Sequence, residues 1–257
     1  MDLQITKRLG GASAGRTRKQ WAALADRASD AEPRELRTMR GRARALKREV
    51  DRLIHVADGR LNLPHSSAHI PGAPLHADWS WQPPLWSGPV FPSGAAEIPT
   101  RYDFGPETSV YHDCQRSEIT VRQLRNQSAD AAMPFGLLID VFRFEGSFLS
   151  LVLNLPDSAI AGLSKRHILG LTTNLEVERD IEIFARLNVR HGPNTEQIVR
   201  EIPAGTTEAA VEFDLAYSDI NEKRIERAWV DLIFEGPEMN AIRLNSMSLA
   251  RWPRAEM

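Results

Sequence analysis

The residues best suited to chemistry are polar and aromatic side chains that alternate along predicted strands. Arg186 and Asn188 lie two positions apart on one strand, and Trp229 and Asp231 have the same spacing on another. Alternate residues of a strand point to the same face, so neighbouring strands would bring these side chains together. An aromatic ring stacks on the C–H surface of a sugar, while guanidinium, amide and carboxylate groups bind its hydroxyls. The candidate ligand-binding set consists of Arg186, Asn188, Arg190, Trp229, Asp231, Asp140 and Arg143.

The alternative interpretation of this set is structural. Trp229 would then belong to the core or lie beneath the N-terminal helices. Two arginines held close together on a sheet need acceptors, which either a ligand or acidic neighbours such as Asp214 and Asp231 would supply. Asp140 and Arg143 are expected to join the set from a third strand.

A second group with reactive side chains is the run His112, Asp113 and Cys114. In an extended segment His112 and Cys114 point to one side and Asp113 to the other, so a carboxylate that orients the histidine would have to come from elsewhere. A nucleophilic cysteine also needs a lowered pKa. We therefore expect Cys114 to be a buried structural thiol and assign no catalytic residue.

Metal and cofactor sites are not indicated. His65 and His69 are four residues apart, but Pro64 and Pro71 flank them and make a helix unfavourable, so these histidines and His76 are expected to be exposed loop residues. No ligand set can be named for a structural calcium of the kind that jelly rolls carry. We expect no metal and no cofactor.

Composition limits the classes of protein that remain. The chain has 257 residues, 42% of them hydrophobic, and its 32 Lys+Arg nearly balance its 34 Asp+Glu. The single cysteine excludes disulfides within the chain and any zinc site built from several cysteines. No run approaches the roughly 18 apolar residues of a membrane span, and no apolar run follows the basic start as in a secretory signal. We expect a cytoplasmic protein without a transmembrane segment.

Three segments are predicted: a basic helical segment over residues 1–59, a strap rich in proline and tryptophan over 60–107, and a β-sandwich domain over 108–257. The first segment has an excess of basic residues, whereas the remainder is acidic. Nine of the sixteen prolines lie in the strap, together with Trp79, Trp81 and Trp86. Proline disfavours regular structure, so only a short extended piece is expected, around residues 78–82. A disordered linker, however, is normally poor in aromatic residues. We therefore expect the strap to pack along an apolar surface.

The basic segment contains a heptad pattern typical of a coiled coil. Its seam consists of Leu36, Met39, Ala43, Leu46, Val50, Leu53 and Ala57. The spacing predicts a helix from near residue 30 to near Gly59. In a parallel homodimer Arg42 would face Lys47 of the second copy, and like charges disfavour that pairing. We expect the seam to dock on the body of its own chain or on a different partner, with nucleic acid or an anionic surface as an alternative for its basic side.

From about residue 108 the pattern predicts successive strands. Nine candidates are separated by turn residues or short connectors: 117–125, 135–144, 148–155, 167–177, 180–190, 197–202, 208–215, 227–234 and 241–250. Only residues 157–164 look helical. Many strands without intervening long helices predict a mainly β protein, an antiparallel β-sandwich of the jelly-roll type, preceded by an N-terminal helical arm or hairpin.

Several segments resemble an uncharacterised bacterial family known under a domain-of-unknown-function name. They are DWSWQPPLWSGP, VYHDC, FEGSFLSLVLNLP, FARLNVRHGPNTEQIVREIP and WVDLIFEGPEMNAIRLNSMSLARWPR. The last two also resemble the final strands of galactose-binding-like jelly rolls. That second resemblance implies a noncatalytic module that binds a glycan or a protein on one sheet face.

Three functional hypotheses follow. The first is a noncatalytic module that recognises a glycan or a glycan-bearing partner. The second is a structural or assembly protein that uses the sandwich and the basic heptad helix for protein contacts. An enzyme is the third, because no motif in the sequence identifies a reaction.

Overall fold

The computed structural model describes residues 12–61, 70, 72–126, 131–203 and 207–254. The chain forms two compact units, residues 1–54 and 55–257. His65 and His69 lie outside the described residues. Within the described part of the chain, no helix is both long and apolar enough to cross a membrane.

The first unit is helical. Helix α1 covers Ala12–Asp26, a 3-10 turn follows at Arg27–Ser29, and helix α2 covers Pro33–Leu61, continuing past the boundary of the unit. Proline suits the first turn of a helix because its missing N–H would have no partner there. The predicted helix is therefore confirmed. Arg27 Nη2 lies 3.3 Å from Glu35 Oε1 and connects the turn to α2.

The heptad seam changes character along α2. Leu36 and Met39 are half-buried near the turn, as are Trp21 and Leu24 of α1. Further along, the exposed fractions are 39% for Leu46, 44% for Val50 and 68% for Leu53. These three side chains form an exposed apolar stripe, and its docking stays a prediction.

Beyond the end of α2, the described part of the second unit is built from strands of 3 to 14 residues and two short helices. The strands are β1 (Trp79–Trp81), β2 (Gly94–Ala96), β3 (Arg101–Asp103), β4 (Thr108–His112), β5 (Ile119–Arg125), β6 (Phe135–Val141), β7 (Leu149–Asn154), β8 (His167–Val177), β9 (Ile183–His191), β10 (Asn194–Ile202), β11 (Glu208–Asp214), β12 (Ile225–Phe234) and β13 (Asn240–Pro253). Helix α3 covers Pro84–Ser87 and α4 covers Asp157–Ile160, while 3-10 turns lie at Leu215–Tyr217 and Glu222–Arg224.

The strands pair into two antiparallel sheets. One has six strands in the order β10-β9-β12-β7-β4-β3; the other has seven, in the order β11-β8-β13-β6-β5-β2, with β1 paired to β13. This is the predicted mainly β antiparallel sandwich with N-terminal helices. All nine predicted strands are present within three residues of their expected ends. Strand β1 falls in the short extended piece expected around residues 78–82. The sequence analysis missed β2, β3 and β4, which have only three to five residues each.

A single hydrophobic core joins the inner faces of the two sheets. In β9 the apolar side chains Ile183, Ala185, Leu187 and Val189 are buried and alternate with Arg186 and Asn188 as predicted, although Asn188 is buried as well. Each large apolar side chain buried in this way stabilises the fold by about 1.5–3 kcal/mol. The alternation fixes which side chains must point away from the core.

From Asp78 onward the strap packs on the sandwich, as expected from its tryptophans. Trp86 is fully buried, with 0% exposure, and its Nε1 donates to the carbonyl oxygen of Leu244 at 2.9 Å. The Gln123 amide binds the strap backbone three times: Nε2 donates to the oxygens of Leu85 at 2.6 Å and Gly88 at 2.7 Å, and Oε1 accepts from Val90 N at 2.9 Å. The strap thus forms part of the core.

An ion pair anchors the strap at Asp78. The buried Arg251 donates from Nε to Asp78 Oδ1 at 2.9 Å and from Nη1 to the oxygens of Ala159 and Ala161, each at 2.9 Å. His167 Nε2 lies 3.2 Å from Asp78 Oδ2. Partial burial raises the pKa of Asp78, but the hydrogen bonds and positive charges of Arg251 and His167 outweigh it and lower the pKa overall.

Candidate functional site

The outer face of the six-stranded sheet brings together most of the predicted set. In the pairing of β9 with β12, Arg186 lies directly opposite Asp231 and Asn188 directly opposite Trp229. Side chains directly opposite in an antiparallel pair approach closely enough to interact. The strand register therefore brings these four residues together, while their role in ligand binding stays a prediction.

A buried carboxylate organises this face. Asp231 is only 3% exposed, and its Oδ2 accepts from Arg186 Nε at 2.9 Å, Arg186 Nη2 at 2.6 Å and Asn188 Nδ2 at 3.0 Å. Asn188 Oδ1 in turn accepts from Gln197 Nε2 at 2.9 Å. A buried charge is stable only when it is paired and hydrogen-bonded in this way. The network, which we call the polar floor, is formed by Arg186, Asn188, Asp231 and Gln197.

Above the polar floor lies a groove with a volume of about 320 Å³. This volume is at the lower end of the range typical of ligand pockets, about 300–1,000 Å³. The groove is lined by Tyr111, Phe148, Ser150, Val152, Asn154, Arg186, Arg227, Trp229 and Asp231. Strands β4, β7, β9 and β12 supply these residues, except that Phe148 immediately precedes β7. The groove combines three aromatic rings with hydrogen-bonding groups held by a sheet.

Two arginines lie over aromatic rings at this surface. The Arg227 guanidinium is 4.8 Å from the ring centroid of Trp229, and the Arg101 guanidinium is 5.7 Å from that of Tyr111. A cation above an aromatic ring is attracted to the negative face of the ring. The two contacts place a guanidinium beside each of two rings that line the groove.

Arg190 is less closely involved than the sequence suggested. Its Nε lies 3.2 Å from Glu226 Oε2, and both side chains are about half exposed, so the pair contributes little to stability. Arg190 is absent from the residues that line the groove. The acceptor for Arg186 is Asp231 and not Asp214, which lies 3.5 Å from Arg254 Nε.

The predicted position of Asp140 and Arg143 is wrong. Asp140 lies on β6 of the seven-stranded sheet, where its Oδ2 accepts from Arg122 Nη2 at 2.8 Å. Arg143 follows β6 and is exposed. Alternation along a strand shows which residues share a face, but it does not show to which sheet the strand belongs.

Sequence reasoning missed six lining residues of the groove: Tyr111, Phe148, Ser150, Val152, Asn154 and Arg227. A signal existed for Arg227, because it lies two residues before Trp229 and must share its face. Ser150 and Asn154 also alternate with the buried leucines of β7, although Ser150 itself is only 7% exposed. For Tyr111 no signal could be used, since β4 was not among the predicted strands.

The His112 side chain makes structural hydrogen bonds with the backbone. Its Nδ1 accepts from the backbone N–H of Cys114 at 3.1 Å, so the ring proton is on Nε2, which lies 3.1 Å from the carbonyl oxygen of Ile98. Both ring nitrogens are therefore occupied, and Cys114 is buried. The burial of Cys114 agrees with the expectation that it is a structural thiol.

Asp113 also has a structural contact. It accepts from the Ser147 hydroxyl at 2.6 Å and from the backbone nitrogens of Ser147 at 2.7 Å and Phe148 at 3.3 Å. The Ser147 hydroxyl is the main cause of a lowered pKa of Asp113. Asp113 thus fixes the loop that carries Phe148 into the groove.

A second and larger cleft, of about 910 Å³, adjoins this segment. His112 and Cys114 line it, together with Glu97, Arg116, Glu118 and Phe142 among others. Glu97 has a positive φ of 51°, which is unusual for a residue other than glycine. Both ring nitrogens of His112 are engaged in hydrogen bonds within the protein, so they are not available to a ligand in this cleft. The groove is therefore the candidate site.

No group of three or more potential metal ligands is found in the described part of the chain. His76 is exposed, and its ring meets the edge of Trp252 at a centroid distance of 6.4 Å. The candidate site is therefore described by its aromatic and hydrogen-bonding groups alone.

Comparison with known proteins gives one match that covers the whole chain. The model of a family of unknown function, DUF6478, matches residues 1–257. A comparison with curated proteins found no match.

Several solved structures are similar in part. A family 30 carbohydrate-binding module is 8% identical, with a TM-score of 0.42, over 71% of this chain and 92% of that one. A family 11 carbohydrate-binding module from Clostridium thermocellum, in complex with a β-1,3-1,4-mixed-linked tetrasaccharide, is 12% identical, with a TM-score of 0.40, over 62% and 97%. The enzymatically active domain of bacteriophage CBA120 tailspike protein 4 is 11% identical, with a TM-score of 0.39, over 57% of this chain, which spans 19% of that one. These values are too low to transfer a ligand.

Proposed function

The chain belongs to the family of unknown function DUF6478, and because this membership names no activity, we propose a function from the groove itself. The protein is a noncatalytic binding module that recognises a glycan, or a partner that carries one, on the outer face of its six-stranded sheet. The observation that carries the proposal is the groove of about 320 Å³, in which aromatic rings surround a rigid polar floor.

The groove has the two kinds of group that a sugar requires. Trp229, Tyr111 and Phe148 offer ring surfaces for the C–H face of a pyranose. Ser150 and Asn154 supply donors and acceptors for hydroxyl groups. Except for Phe148, these groups project from strands, so they are already in place before a ligand binds, which lowers the entropy cost of binding.

The charges of the groove favour binding over hydrolysis. Glycoside hydrolysis by the usual route requires two carboxylates that flank the bond. Among the described residues that line the groove, Asp231 is the one carboxylate, and Arg186 and Asn188 already bind it. This supports a noncatalytic role.

A polysaccharide and glycan array with the full chain tests the proposal. We expect the wild-type protein to bind at least one glycan on the array. Trp229→Ala should lower the affinity for that glycan about tenfold or more, because a tenfold change corresponds to the loss of about 1.4 kcal/mol of contact with the ring. The matched control is Phe142→Ala, which removes an exposed aromatic ring that lines the larger cleft instead. Absence of any ligand, or loss of binding in Phe142→Ala alone, would refute the groove as a glycan site.

One observation favours a second function, assembly with another protein. Leu46, Val50, Leu53 and Ile54 form an exposed apolar stripe on α2, and such stripes on basic helices commonly make partner contacts. Light scattering of the full chain and of Leu53→Gln tests self-assembly through this stripe. If the wild type forms an oligomer and the variant does not, the assembly role is supported. If both proteins are monomers, the stripe does not mediate self-assembly. The cytoplasmic location remains a prediction.

A further inference from the structure

We infer that the glycan is anionic, with a carboxylate or sulfate group on the sugar that reaches Trp229, and that Arg227 pairs with this group. The inference rests on the proposed function of the groove and specifies its ligand class. It follows from three observations on Arg227: its uncompensated charge, its position above the Trp229 ring, and the arginine that lies opposite it.

The charges of the groove do not balance. Its charged lining residues are Arg186, Arg227 and Asp231. Asp231 and Arg186 neutralise each other at 2.6 Å. Arg227, in contrast, has no carboxylate of any described residue within 4.0 Å. The groove therefore keeps one positive charge, although the chain beyond residue 60 is acidic overall.

The position of Arg227 suits an anionic ligand. Its guanidinium is exposed and lies 4.8 Å from the ring centroid of Trp229. Contact with a ring occupies the face of a guanidinium and leaves the N–H groups at its edge able to donate. Those edges form a fork that matches the two oxygens of a carboxylate or sulfate. A sugar that reaches Trp229 would bring a ring substituent within range of the fork.

The strand register adds an unfavourable contact that an anion would relieve. Arg227 lies directly opposite Arg190 in the pairing of β12 with β9. Like charges directly opposite in a sheet are destabilising. Glu226 compensates Arg190 at 3.2 Å, but the second guanidinium remains without an acidic partner among the described residues. A bound carboxylate or sulfate would complete this group of charges.

The test uses the full chain and three classes of polysaccharide: neutral, uronic-acid-containing and sulfated. We expect the best ligand to be acidic and its affinity to fall at least tenfold when the ligand is chemically neutralised. Carboxyl reduction neutralises a uronate and desulfation neutralises a sulfated glycan, so the two treatments distinguish the sources of charge. Added salt should lower the affinity for the acidic ligand and leave the affinity for neutral glycans unchanged.

Two variants locate the effect. Arg227→Gln should lose about tenfold in affinity for the acidic ligand and no longer distinguish it from its neutralised form. The matched control is Arg243→Gln, which removes an exposed positive charge from a strand of the other sheet and should bind as the wild type does. If the best ligand is neutral and Arg227→Gln binds it normally, the inference is wrong while the glycan-binding function stands. If no polysaccharide binds, both are wrong.

Discussion

Two tryptophans of the sandwich show how the same side chain serves two purposes. Trp86 of the strap has no exposed surface, and its indole N–H is bonded to the carbonyl of Leu244. Trp229 of the groove is half-buried on an outer sheet face, with a guanidinium across its ring. The ring of Trp86 contributes its whole area to folding, whereas Trp229 keeps part of its area for a ligand. The difference shows that burial and partners, rather than residue type, distinguish a core tryptophan from a binding tryptophan.

The largest expected effect comes from the pair of variants that tests this contrast directly. Trp86→Ala should lower the free energy of unfolding by about 3–5 kcal/mol, because it leaves a cavity and an unpaired carbonyl. Trp229→Ala should lower it by about 1 kcal/mol, because water already reaches the ring. Urea denaturation measures both. Equal losses in the two variants would mean that Trp229 also belongs to the core.

The next effect concerns the polar floor under Trp229. Asp231→Asn should lower the free energy of unfolding by about 1–3 kcal/mol, because it removes the charge that Arg186 and Asn188 bind in a buried position. The loss stays below that of a fully buried pair, since a third of the Arg186 side chain is exposed. In a double-mutant cycle, Arg186→Gln should cost less in the Asp231→Asn background than alone. Additive costs would show that the two residues do not interact.

The smallest effect concerns the anchor of the strap and depends on pH. The folded state lowers the pKa of Asp78, so its carboxylate stabilises the fold above the ordinary aspartate pKa of about 4 and loses this effect as the pH falls through the lowered value. Asp78→Asn should therefore melt about 2 °C below the wild type at pH 7, a modest shift because Asp78 is 38% exposed. The difference should shrink as the pH falls below 4. A difference that stays constant with pH would exclude the carboxylate charge as its cause.

Much of the fold could be predicted because it depends on local patterns. The alternation of Ala185, Leu187 and Val189 with Arg186 and Asn188 predicted a strand with one buried face. The tryptophans among the prolines similarly predicted a packed strap. Short strands such as β3 have too few residues for a pattern, and their pairing is set by neighbours distant in sequence.

The candidate site was predictable only in part, for a related reason. Alternation correctly placed Arg186 and Asn188 on the face that Asp231 and Trp229 share, since β9 and β12 are neighbours. It placed Asp140 there wrongly, because strand order within the two sheets is a tertiary property. The groove needs Tyr111 and Phe148 as well, and these enter through β4 and a loop that Asp113 holds.

The pairing of β1 with β13 sets a limit on how early the protein can finish folding during its synthesis. The Trp86 indole N–H donates to a carbonyl 158 residues further along the chain, and Asp78 pairs with Arg251, which is 173 residues further along. At a synthesis rate of about 5–20 residues per second, the strap leaves the ribosome roughly 8–30 s before its partner strand. During this interval the tryptophans of the nascent chain have no place to pack. The tryptophans of the strap are therefore accessible to a chaperone at the ribosome during this interval, and the core around them closes only after β13 has been synthesised.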